Sequence, residues 1–350
     1  MLNKQTRSLV NSVRVLGDGP LSVYLNDDEL LRLCAVIAVD LGEEKLVSDI
    51  ATVEELAQGY YATPLAWFKQ PVPVIFSFEH KFLELRDAID DFITYFKGLC
   101  ELHKRRLKFK LILENQAFPQ MEQIVPRCLL EYGMRPSEAL ATWLVWRKWL
   151  YDIDNRSAQE TGYLFEPILA AAIGDVPYAA KKSPVKRTDQ PTKGRQVDCL
   201  DGKLAYEFKM RVTIAASGQG RFQEELDFAR DCHGSGFTPV LLVLDPTPSA
   251  RLDDLAAEYT KYGGTAYTGD DAWKHLEEKA GAVMGKFVEK YVRNPLREVD
   301  SGYGNLQPLY LANSGSVIEV QIGMESFSIA RPGAQLIPAE VDDSRMLEEE

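Results

Sequence analysis

Residues 195–212 read RQVDCLDGKLAYEFKMRV, two short runs that alternate apolar and polar side chains about a turn at Asp201–Gly202. Alternation with period two marks a half-buried strand, and Asp-Gly between two such runs marks a hairpin. A hairpin needs further strands or a helix to cover one face, and the flanking chain supplies both. Ahead of it, SAQETGYLFEPILAAAIGD reads as a helix ending near Gly174. After it, GRFQEELDFARDC (220–232) reads as a helix and TPVLLVLD (238–245) as a strand buried on both faces, because its apolar run is continuous. The helix ARLDDLAAEYTKYGG, the short strand GTAYTG and the long helix DDAWKHLEEKAGAVMGKFVEKYV complete the unit. The order α-β-β-α-β-α-β-α over residues 156–295 predicts a mixed β-sheet flanked by helices.

Residues 1–155 are expected to form a mostly helical region. DDELLRLCAVIAVDLG has helical apolar spacing behind an Asn26/Asp27 cap, FLELRDAIDDFITYFKGLCELHKRRLKFKLIL must break at least once, and PSEALATWLVWRKWLYDI opens on Pro136–Ser137. Period two returns in LQPLYLAN, SVIEVQIG and ESFSIARPG, so 296–350 reads as a small β-element followed by an acidic tail. Composition narrows the function. A net charge of −12 rules out a polycationic nucleic-acid coat, so any nucleic-acid site must come from a local basic patch. The five cysteines include no C-x-x-C pair and read as reduced thiols. With no apolar h-region at the start and no run long enough to span a bilayer, the chain is expected to be cytoplasmic.

Three charges interrupt the hairpin. Glu207 and Lys209 share one face of their strand, while Phe208, with Tyr206 and Met210, points the other way into the core. The turn brings Asp198 back toward Glu207, in a register that the sequence leaves open. Two carboxylates converging on one face make a hard-oxygen site suited to Mg2+, to which the backbone carbonyl of Phe208 adds a third ligand. A lysine beside such a metal orients water and stabilises charge on a phosphoryl group. Acidic-x-Lys alone carries no information, since it starts at Glu43, Glu79, Asp201, Glu207 and Glu277. Only Glu207 has the apolar strand context and a second strand acid upstream.

Asp198-x8-Glu207-Phe208-Lys209 resembles the PD-(D/E)XK nuclease superfamily, the fold of most Type II restriction endonucleases. GYLFEPIL is similar to that family's first core helix, whose Glu often helps to bind metal; Glu166 occupies that place. GRFQEELDFARD resembles the helix after the catalytic strand, where Gln223 and Glu225 can approach the site. Val197 stands where the family name has proline. The resemblance covers residues 156–295 and implies a restriction-endonuclease-like α/β core. It implies Asp198, Glu207, Lys209 and Glu166 as the catalytic set, and Mg2+-dependent cleavage to 5′-phosphate and 3′-hydroxyl ends.

The segment AAKKSPVKRTDQPTKGRQ, just ahead of the hairpin, carries Lys181, Lys182, Lys186, Arg187, Lys193 and Arg195 against the single acid Asp189. Phosphates near a catalytic metal need such a lining, so these residues, with Arg211, Arg221 and Gln223, are the expected contacts to double-stranded DNA, on a loop that orders on binding. A second basic run, HKRRLKFK (103–110), reads equally as a solvated face or a second phosphate track. A sequence-reading nuclease needs arms beyond its core, which assigns DNA recognition or dimerisation to 1–155. A palindromic site favours a homodimer, and a companion methyltransferase would protect the host. A structure-specific repair or recombination nuclease on the same core, and a non-catalytic DNA-binding protein retaining the fold, are the alternatives.

Overall fold

A computed structural model describes residues 4–17, 19–51, 53–56, 58–72, 77–174, 176–210 and 219–332. Helix α1 (Lys4–Arg14) precedes α2 (Asp27–Asp40), whose first turn is closed by a capping box: Asn26 accepts from the Glu29 amide and Glu29 accepts from the Asn26 amide, both at 2.9 Å. The long amphipathic stretch breaks between α3 (Phe78–Ala88) and α4 (Phe92–Asn115), where Asp91 takes φ 54°. Helix α5 (Ser137–Ile173) runs 37 residues, about 55 Å, so the two helices expected around residues 137–154 and 157–174 are one. No glycine interrupts it before Gly162, and Pro167 sits in its interior at the cost of one backbone donor.

The hairpin is present as β1 (Cys199–Asp201) and β2 (Leu204–Lys209). There follow α6 (Gln219–Gly234), β3 (Thr238–Val243), α7 (Ala250–Lys261), β4 (Thr265–Thr268) and α8 (Asp270–Lys279). The sheet order is β1-β2-β3-β4, with β1 antiparallel to β2 and the others parallel. This is the mixed sheet with flanking helices that the element order predicts. The long helix expected after β4 stops at Lys279, and α9 (Ala282–Val288), a π-turn (Glu289–Arg293) and α10 (Asn294–Gly302) form a second helical run. Strands β5 (Leu309–Asn313), β6 (Val317–Ile322) and β7 (Glu325–Ala330) form a separate antiparallel sheet.

Two cores sandwich the first sheet. On one face Tyr206, Phe208, Val240 and Leu242 join Ile168, Leu169 and Ala170 of α5 and the apolar residues of α2 and α4 in one cluster. On the other, Ala205, Leu241 and Val243 pack with Phe228, Ala229 and Cys232 of α6 and Leu255 and Tyr259 of α7. The N-terminal helices therefore share a core with the sheet. All five cysteines are free, and among the described residues no helix is long and apolar enough to cross a membrane.

Candidate active site

The turn of the hairpin is Gly202–Lys203, one residue later than Asp201–Gly202. Cys199 pairs with Tyr206, Leu200 with Ala205 and Asp201 with Leu204, and Gly202 carries the positive φ that the turn demands, 59°. The shift sets the placement of Asp198. Its amide donates to the Tyr206 carbonyl at 3.2 Å, and its Oδ2 accepts the Phe208 amide at 2.8 Å. Where β1 leaves the ladder, this carboxylate takes over as acceptor for β2, which fixes it beside Glu207.

Strand alternation does the rest. Tyr206 and Phe208 are buried toward α5, while Glu207 and Lys209 face α6 with Ala205. Lys209 Nζ lies 2.6 Å from Glu207 Oε1 and 2.9 Å from Oε1 of Glu225 on α6. Asp198 is 4 % exposed, and Glu166 reaches the same charges from α5, about two turns before that helix ends. Burial, reinforced by the charge of Glu207, pushes the Glu166 carboxyl up to about 7; Lys209 and Arg105 oppose this. Burial, then repulsion from Glu207 and Glu166, holds Asp198 well above the usual carboxylate range. Glu225 is raised by burial and by Glu207. For Lys209 burial works toward neutrality, but Glu207, Glu225 and Asp198 together outweigh it and keep the ammonium charged. Four carboxylates thus surround one lysine, a local excess of negative charge in a partly dry place.

The expected residues Asp198, Glu207, Lys209 and Glu166 come together here, and Glu225 joins them through its bond to Lys209. Its place on a helix able to approach the site was legible; its direct hold on Lys209 depends on how α6 crosses β2, which the sequence does not specify. Gln223 does not join them: it is exposed and bonded to Asp227. The donors are hard oxygens and their excess charge calls for a cation, so their chemistry fits Mg2+. As the side chains stand, however, no group of three or more His, Cys, Asp and Glu among the described residues converges tightly enough to hold a metal ion; Lys209 occupies the space between Glu207 and Glu225.

The basic segment is built into the fold, contrary to the expectation of a loop that orders on binding. Tyr178 bridges to Val197 and Lys186 to Gly194. A Cβ on Gly194 would lie 1.8 Å from the Ala180 carbonyl oxygen, so only glycine fits. Arg195 is buried, its Nε 2.5 Å from Asp231 Oδ2 and its NH1 3.1 Å from Glu224 Oε2. Arg187 NH1 meets both oxygens of Glu224 at 2.9 Å. These two arginines tie the segment to α6, whereas Lys181, Lys182, Lys186 and Lys193 are exposed. Arg211 and the Arg221 side chain lie outside the described residues.

The run 103–110 fits neither of its two sequence readings. Lys104 and Arg105 pair with Glu101, and Arg105 and Lys108 pair with Glu160 of α5 at 2.8 and 3.1 Å. His103 is buried against the Tyr60 hydroxyl, and Arg106 stacks over Tyr60 and Tyr61. These charges lock α4 to α5.

A mixed sheet flanked by helices, with an acidic cluster and a lysine on its central hairpin strand, is compatible with a nuclease core. Comparison with known proteins gives the class: Type II restriction endonucleases, hydrolases that act on DNA. The family model for ApaLI-like restriction endonucleases matches residues 48–293, and the Type II restriction enzyme ApaLI of Acetobacter pasteurianus is 46 % identical over 363 aligned positions, 97 % of each chain. The chain belongs to the ApaLI-like restriction endonuclease family. No solved structure matches it.

Proposed function

We propose that Asp198, Glu207, Lys209 and Glu166 form the catalytic centre of a PD-(D/E)XK-type nuclease that hydrolyses double-stranded DNA at specific sites, with Mg2+ as cofactor. The observation that carries this reading is the gathering of four carboxylates around Lys209, Glu207 from β2, Asp198 just ahead of β1, Glu166 from α5 and Glu225 from α6. Asp198, Glu207, Glu166 and the Phe208 carbonyl would hold the ion, which supplies Lewis acidity toward a phosphoryl oxygen and lowers the pKa of water. Asp198, anchored by the Phe208 amide, is the rigid member of the set. Lys209 keeps its positive charge and donates hydrogen bonds, which favours a phosphate whose negative charge grows in the transition state. Glu225 restrains the Lys209 ammonium from the α6 side. The exposed Lys181, Lys182, Lys186 and Lys193, with Arg211 and Arg221, serve as phosphate contacts, while Arg187 and Arg195 hold their segment in place. Site-specific cleavage of a palindrome fits a homodimer, with residues 1–155 contributing to sequence reading and a companion methyltransferase protecting the host.

Digestion of unmethylated plasmid with Mg2+, followed by sequencing of the ends, tests this reading. The wild type gives discrete fragments with 5′-phosphate and 3′-hydroxyl ends cut at one motif. Lys209→Ala and Asp198→Asn lose at least about a thousandfold in rate while DNA binding changes little. Wild-type turnover in either variant removes the site assignment.

A further inference from the structure

The second helical run, α9 through α10, changes character along its length. Its first part buries Met284, Phe287, Val288, Tyr291 and Val292, whereas α10 buries no residue. The chain then enters the β5-β6-β7 sheet. One face of that sheet is covered in part: Ile318 and Val320 are buried, and Leu311 and Ile329 packed, against Trp149, Trp146 and Phe118. Period-two alternation and the strand register put Leu309, Ile322 and Phe327 on the same face, with Glu325 the one charged side chain there, opposite Ile322. Leu309 is directly opposite Ile322, and the Gly323 amide donates to the Pro308 carbonyl at 3.0 Å, so the β6–β7 turn closes on the segment leading into β5. Tyr303 and Leu306 in that segment and Met324 in that turn are exposed as well. These six side chains are 42 to 98 % exposed among the described residues.

Six large side chains, at roughly 200 Å² each when fully exposed, leave on the order of 800 Å² of apolar surface in water at these exposures, which is about what each partner of a standard protein interface buries. Residues 303–327 contain Glu319 and Glu325 and no lysine or arginine, so the surface offers nothing to a phosphate backbone. A two-fold interface sets a patch against itself, which strongly charged surfaces resist and a nearly uncharged apolar one permits.

We infer that this end of the C-terminal sheet is the two-fold interface at which a second copy of the chain docks. The inference rests on the homodimer reading given above and names the surface that makes it. The interface belongs to the C-terminal element and lies apart from the hairpin that carries the acidic cluster.

Sedimentation of the full chain between about 1 and 50 μM tests it. The wild type sediments at twice its 39.4 kDa mass. Met324→Lys and Leu309→Asp, both at solvent-exposed positions, sediment as monomers with unchanged circular dichroism, their association weakened by roughly a hundredfold or more as expected for a charge placed in an interface core. Leu130→Asp, in the other exposed apolar stretch, leaves the dimer intact. A wild type that is monomeric throughout overturns both the dimer and its surface. A wild-type dimer that survives Met324→Lys and Leu309→Asp overturns the surface alone. A monomer that dimerises only when residues 333–350 are removed makes the tail the occupant and also overturns the inference. None of these outcomes depends on cleavage, so the nuclease reading stands or falls separately.

Discussion

Glu160 and Glu166 lie six residues apart on α5, about 9 Å along the axis, and stand in opposite electrostatic surroundings. Glu160 belongs to a network in which Lys104, Arg105 and Lys108 face Glu101 and Glu160, three cations to two acids. There burial would raise Glu101, but Lys104 and Arg105 win and hold it below the ordinary value. Glu166 belongs to the cluster where Asp198, Glu207 and Glu225 surround Lys209, and its carboxyl is pushed the other way. A charge network that closes on itself explains its own presence as helix-to-helix attachment. One that remains four acids to one base has the charge that the cation site proposed above would need.

The largest expected contrast comes from mutating each glutamate. Glu160→Ala removes the acid on α5 to which Arg105 and Lys108 both bind in a mostly dry contact, which costs about 3 kcal/mol, read as a lower urea midpoint. Glu166→Gln removes one member of a repulsive cluster, so the unfolding free energy of the metal-free protein stays within about 1 kcal/mol of wild type or rises. Cleavage by Glu166→Gln nevertheless falls at least about tenfold. If both variants lose stability equally, the distinction between the two networks is wrong.

The basic segment before the hairpin repeats the contrast on a smaller scale. Arg195→Ala removes the close countercharge of the fully buried Asp231, leaving it the Thr188 amide at 2.8 Å and Arg230 at 3.9 Å, and lowers stability by about 2 kcal/mol. Lys181→Ala with Lys182→Ala leaves stability unchanged but reduces the slope of log affinity for DNA against log salt by about 1 to 2. An unchanged slope removes these lysines from the interface.

Much of this was readable from one dimension. Alternation alone separates Glu207 and Lys209 from Tyr206 and Phe208, and the element order gives the mixed sheet. Asn26 as a helix cap and the continuous apolar strand after α6 were equally plain. The placement of Asp198 was not, because a one-residue change in the turn moves Cys199 from Leu204 to Tyr206. Nor was the continuity of α5, since polar residues 152–160 look like a connection until their partners on α4 are known. The run 103–110 misleads for the same reason: its basic charges are neutralised by Glu101 nearby and by Glu160, more than fifty residues away in sequence. Glu225 was visible as a candidate, but only the crossing of α6 over β2 brings it to Lys209.

On the reading proposed above, the carboxylates gathered around Lys209 bind a divalent cation. Calorimetric titration of Ca2+ into the DNA-free protein tests it directly, alongside Asp198→Asn and Glu160→Gln. Saturable binding is expected of the wild type, retained in Glu160→Gln and abolished in Asp198→Asn. Equal binding by wild type and Asp198→Asn, or none by the wild type even with DNA present, would contradict it.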